Sequence, residues 1–167
     1  GRRAHRIRFA LYLQWLADRH LAAAADRARA GGLAWGYFRD LAVGAAPDGA
    51  EPWANADGFA RGASIGAPPD PFSPTGQNWG LPPPIPQRLR ALGYAPFIAM
   101  LRRCMRHMGA LRIDHVMGLM RLFWIAPGGT AREGAYVHYP LEDLLGLLAL
   151  ESQRNRCMVV GEDLGTV

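Results

Sequence analysis

Three carboxylates close three apolar runs: Asp40 after Leu33–Arg39, Asp114 after Ala110–Ile113, and Glu162 after Cys157–Gly161. Two carboxylates held close together suit glycoside chemistry. One attacks the anomeric carbon, while the other protonates the leaving oxygen and later deprotonates the acceptor. The acid then needs surroundings that raise its pKa, and the nucleophile must stay ionised. Arg112 precedes Asp114 by two positions, so both share one face of a strand. A guanidinium there keeps Asp114 charged. Asp114 and Glu162 are 162 − 114 = 48 residues apart, which fits one strand–helix unit plus a loop. Plainer readings stand beside these. A strand-end carboxylate also serves as a helix N-cap or turn former, which applies to Asp40 and to Asp163. His115 alone reads as a hydrogen-bonded core histidine. Trp15, Trp35 and Trp124 read as core, and Met100, Met105 and Met108 as packing.

The surrounding pattern says what must position these groups. Apolar residues recur at helical spacing from Ile7 to Ala30 (Ile7, Leu11, Trp15, Leu16, Leu21, Ala25), and Gly31-Gly32 is a natural stop. Leu33–Val43 reads as a buried strand ending near Asp40. Residues 44–96 are dense in Pro and Gly, a composition expected to exclude regular helix and central strand. Trp53, Phe59, Phe72 and Trp79 within this stretch argue for an ordered, packed loop rather than a linker. A helix is expected over Pro96–Met108 with Gly109 ending it, a second strand over Ala110–Val116, a helix from Leu141 toward Arg154, and a third strand over Cys157–Glu162. Such alternation implies βαβ units and a parallel sheet. In a (β/α)8 barrel the C-terminal strand ends converge on one pocket.

Composition narrows the field. The chain has 167 residues, half of them hydrophobic and 20% charged, enough for one globular core. No apolar run is long enough for a membrane helix, and Gly1–Arg6 lacks signal-peptide character. The net charge is +5, yet the basic residues are all Arg and mostly scattered, so neither nucleic acid nor membrane is an expected partner. Cys104 and Cys157 have no CxxC or metal-ligand spacing, which fits a reducing cytoplasm, with Cys157 a buried thiol. The absence of an initiator Met, and an end directly after a strand, read as an internal piece of a longer protein.

Six stretches occur in order: Arg39–Gly44 (RDLAVG), Gly66–Asp70 (GAPPD), Gly76–Gly80 (GQNWG), Ala110–His115 (ALRIDH), Gly134–Pro140 (GAYVHYP) and Gly161–Gly165 (GEDLG). Together they closely resemble the bacterial 4-α-glucanotransferases, also called amylomaltases or disproportionating enzymes, in their proteobacterial wording. The likeness covers nearly the whole chain. It implies part of an α-amylase-type (β/α)8 barrel, about three strand–helix units, with residues 44–96 as a loop insertion over the glucan cleft. It also implies transfer of α-1,4-glucan segments with retention, maltooligosaccharides as partners, and neither cofactor nor metal. By resemblance Asp114 is the nucleophile, Glu162 the acid/base and Arg112 the nucleophile's support. Asp40, Asp70, Gln77, Trp79 and His115 join Arg112 as substrate-binding residues. The family's third catalytic aspartate falls beyond Val167, so the isolated chain is expected to be inactive, with open sheet edges. Two other readings remain at this stage: an α-glucan hydrolase of the amylase group and a non-catalytic glucan-binding barrel.

Overall fold

The computed structural model describes residues 2–164. Three short strands, β1 (Phe38–Leu41), β4 (Ala110–Ile113) and β7 (Met158–Gly161), form a parallel sheet in the order β1-β4-β7. The registers pair Asp40 with Arg112 and Arg112 with Val160. Asp114 and Glu162 therefore emerge side by side, one residue past their strands. Main-chain bonds carry the ladder into the loops: Asp114 N–H donates to Leu41 O at 3.0 Å, and Glu162 N–H to Ile113 O at 2.9 Å. The expected strand–helix alternation is present here, with α1 (Arg2–Ala30), α4 (Ala95–Met105) and α5 (Leu141–Asn155) near the expected positions.

The expectation for residues 44–96 is overturned. The stretch contains α2 (Ala50–Ala54), β2 (Ser64–Ala67), β3 (Gln77–Leu81) and α3 (Pro86–Ala91). With β5 (Arg121–Ile125) and β6 (Ala135–His138), both in a region read as loop, it forms an antiparallel sheet ordered β3-β2-β5-β6. β2 is thus a central strand. No proline interrupts β2 or β3; Pro68, Pro74 and Pro82 stand just outside them. Gly66 lets the strands approach closely, since a Cβ there would lie 2.1 Å from Gln77 O.

One core joins the two sheets. Leu101 and Met105 of α4, Leu111 and Ile113 of β4, Leu144 and Leu148 of α5, and Ile65 and Leu122 of the antiparallel sheet pack together, with Cys157 buried among them as expected. α4 and α5 are clamped by a buried carboxylate. Glu151, 1% exposed, accepts two hydrogen bonds from Arg102 and one from Arg154, each at 2.9 Å. This pairing holds the Glu151 carboxyl below its ordinary pKa, the Arg102 bonds contributing most. Tyr139 ties the insertion to the sheet: its hydroxyl donates to Pro84 O at 2.6 Å and accepts from Trp124 Nε1 at 3.2 Å.

Several local expectations need correction. Helix α4 stops at Met105, and Gly109 instead permits a close backbone approach, because a Cβ there would sit 1.4 Å from Trp35 O. Trp35 and Trp15 are not core; they are 65% and 57% exposed. Trp124 does pack against the core. Along α1 only Ala25 and Ala28 are buried, while Ile7, Leu11, Trp15 and Leu21 face outward. Within the insertion Phe59 is half-buried, but Trp53 and Phe72 are exposed.

Candidate active site

The parallel ladder places Arg112 between two acids. Its Nη1 donates to both carboxylate oxygens of Asp40, at 2.8 and 2.7 Å, and its Nη2 to Asp114 Oδ1 at 3.0 Å. One planar guanidinium thus spans two neighbouring strands, which a lysine's point charge does not reproduce. These contacts, the Asp40 hydrogen bonds first, hold Arg112 firmly protonated. Asp40 is engaged here as an ion-pair partner rather than as a helix cap. The Asp114 side chain remains 41% exposed and that of Asp40 61%, so both keep faces open to a ligand.

Glu162 is held from a different direction. His115 has left-handed backbone angles (φ 51°, ψ 59°). This turns its main-chain N–H onto Glu162 Oε2 at 2.8 Å, while Leu164 N–H donates to Oε1 at 2.8 Å. Val116 N–H in turn donates to the Glu162 carbonyl at 2.9 Å. In this structure the surroundings act on Glu162 in the sense opposite to the expected rise in its pKa. The His115 N–H chiefly, then the Leu164 N–H and the charge of Arg112, hold Glu162 below the ordinary carboxylate value, because hydrogen bonds to an ionised carboxylate favour that form. These donors are main-chain groups of two loops. No residue type announces them, and only the positive φ at a non-glycine position marks one of them in the structure.

The antiparallel sheet brings aromatic surface to the same place. The Trp79 ring meets the half-buried His115 ring edge to face, with centroids 5.4 Å apart, and Trp79 Nε1 donates to Gln77 Oε1 at 3.0 Å. Burial keeps the His115 imidazole below its usual pKa, so it is neutral near pH 7. Asp70 is occupied otherwise: its Oδ1 accepts N–H bonds from Phe72 at 2.7 Å and Ser73 at 2.6 Å, an Asx turn that shapes its own loop. Behind Asp114 and His115 lies a cavity of about 300 Å³ with a mostly apolar lining that includes Phe97, Met100 and Leu119. A ligand rich in hydroxyls is better matched by the open polar face of Asp40, Arg112, Asp114 and Glu162. Among the described residues, no group of three or more His, Cys, Asp or Glu side chains could hold a metal ion.

A strand-end pair of carboxylates, an arginine bridging one of them to a third, and the Trp79 and His115 rings lie together at the C-terminal end of the parallel sheet. The family model described as 4-alpha-glucanotransferase matches residues 1–167. The chain belongs to the 4-alpha-glucanotransferase family. It is 52% identical over 162 residues to the 4-alpha-glucanotransferase of Haemophilus influenzae, which covers 97% of this chain and 23% of that protein. It is 46% identical over 164 residues to that of Mycobacterium tuberculosis, covering 98% of this chain and 23% of the relative. The amylomaltase structure from Corynebacterium glutamicum superposes with a TM-score of 0.92 at 44% identity, over 95% of this chain and 23% of that one. The amylomaltase from Streptococcus agalactiae, solved in complex with acarbose, shares the fold at a TM-score of 0.69 and 24% identity, over 78% of this chain and 27% of that one. The chain thus spans about a quarter of the length of the 4-alpha-glucanotransferases it matches (23%).

Proposed function

We propose that the complete protein is an amylomaltase, moving α-1,4-glucan segments to an acceptor glucan or glucose by a retaining double displacement. The observation that carries this reading is the pair Asp114 and Glu162 on adjacent parallel strand ends, with Arg112 bound to the first and two main-chain N–H groups bound to the second. In the first step Asp114 attacks the anomeric carbon as Glu162 gives its proton to the leaving oxygen, and the broken bond leaves a glycosyl–Asp114 ester. In the second step ionised Glu162 takes the proton of an acceptor hydroxyl, whose oxygen displaces Asp114. Glu162 held ionised is suited to this second step. For the first, a bound sugar covering the carboxyl would desolvate it and favour the protonated form.

In this reading the strands β1, β4 and β7 are three strands of a (β/α)8 barrel, and residues 44–96 cover its cleft. Gln77, Trp79 and the His115 ring form the cleft wall, Asp40 orients the donor sugar, and Asp70 acts by shaping the loop. A cover of this kind disfavours water against a sugar acceptor. Maltooligosaccharides are the substrates, and no cofactor takes part. We place the enzyme in the cytoplasm, in keeping with the free thiols Cys104 and Cys157; no described helix is long and apolar enough to cross a membrane.

The test incubates the complete protein with maltotriose and separates the products by size. Glucose plus a ladder of longer maltodextrins is the expected result. Glucose and maltose alone would make it a hydrolase, and a folded protein without turnover would be a glucan-binding barrel.

A further inference from the structure

We infer that His115 is a positioning residue with two separable roles: its main chain holds Glu162, and its ring braces Trp79. The inference rests on the glucanotransferase reading above and deepens it.

Three observations converge. His115 is a non-glycine residue with positive φ, a conformation uncommon for side-chain-bearing residues though less so for histidine. That conformation directs its N–H to Glu162 Oε2 at 2.8 Å, and the next residue's N–H reaches the Glu162 carbonyl at 2.9 Å. The ring of the same residue meets Trp79 of β3, which is itself bonded to Gln77. The loop after the nucleophile's strand is therefore the joint between the acid/base carboxylate and the wall contributed by the other sheet. The charged group acting on Glu162 from a neighbouring element is Arg112; the titratable His115 ring, neutral near pH 7, acts on Glu162 only when protonated, and Asp114 and Glu162 act on His115. Arg112 is itself pinned by Asp40.

The test uses the complete enzyme, maltotriose, and kcat/KM measured against pH. Glu162 must be protonated to act as acid, so its ionisation sets the high-pH limb. A donated N–H lowers the pKa of Glu162, so losing that donor moves the limb to higher pH. His115→Gly keeps the positive φ and the N–H but deletes the ring. It is expected to raise KM about 3- to 10-fold, the range of one aromatic contact, while leaving the high-pH limb in place. His115→Val disfavours positive φ, so the limb is expected to rise by about one pH unit as the N–H turns away. A limb displaced in His115→Gly would overturn the division of roles, because the ring and not the main chain would then set Glu162. An unchanged KM in His115→Gly would overturn the bracing of Trp79. Should His115→Val fail to fold, His115→Gly decides alone. Glu162→Gln separates the two levels: retained transfer would sink the glucanotransferase assignment of Glu162, whereas lost transfer beside a neutral His115→Gly would sink only this inference.

Discussion

The parallel sheet and the antiparallel sheet reach the same site by different means. In β1-β4-β7 the positions are set by strand register, and the polar groups at its C-terminal end are paired: Arg112 across strands to Asp40 and along its own strand to Asp114, and Glu162 to the turn after β4. In β3-β2-β5-β6 the positions are set by close backbone approach. Gly66 lies against Gln77 O. Gly76, at φ 71°, has no room for a Cβ, which would meet Ala131 Cβ at 2.6 Å and Ala67 O at 2.7 Å. The first sheet supplies charge and the second supplies shape. Damage to the first should therefore appear in turnover, and damage to the second in stability and KM.

The largest expected effect lies in the first sheet. Asp114→Asn in the complete enzyme should reduce kcat about 10⁴-fold or more, the scale of losing a nucleophile, while the thermal midpoint stays near that of the parent. Transfer activity surviving at wild-type rates would remove Asp114 as nucleophile and leave the comparison without its charged side. A smaller but opposite signature is expected in the second sheet. Gly76→Val places a β-branched residue at positive φ against backbone, at a cost of about 2–4 kcal/mol. Calorimetry should show a lowered midpoint and kinetics a raised KM, with kcat far less affected than in Asp114→Asn. A kcat loss matching that of Asp114→Asn would mean that the two sheets are not functionally distinct.

The smallest effect separates a carboxylate behind the parallel sheet from those at its end. Glu151→Gln should destabilise by about 1–3 kcal/mol, the value of hydrogen bonds to a charged group, without changing kcat at permissive temperature. Its folded pKa is depressed below the ordinary 4.5. The stabilisation is therefore full above that value and lost as pH falls through the lower folded one. Thermal melts of the two proteins should differ at pH 7 and converge in acid. A gap that persists unchanged at low pH would show that the ion pairing with Arg102 and Arg154 is not its source.

Much of the parallel half was legible in the chain. Apolar runs ending in Asp40, Asp114 and Glu162 alternate with helical spacing, and Arg112 shares the face of Asp114 by simple strand periodicity. The antiparallel half was hidden by its prolines. They flank β2 and β3 without entering them, so a composition that forbids a long strand still permits two short ones. β5 and β6, only Arg121–Ile125 and Ala135–His138, are likewise short runs between turns.

The residues by themselves determined the family, the three strands of the parallel sheet and the identity of the charged groups at their ends, because these follow from local pattern and motif. Tertiary structure alone decided that one guanidinium spans Asp40 and Asp114, that the main chain of His115 donates to Glu162, and that Trp79 reaches His115 across a sheet boundary. Each of these depends on which strand lies beside which, and in what register. That is a property of the assembled backbone, since hydrogen bonds of 2.6–2.8 Å require an alignment between distant segments that no local spacing encodes.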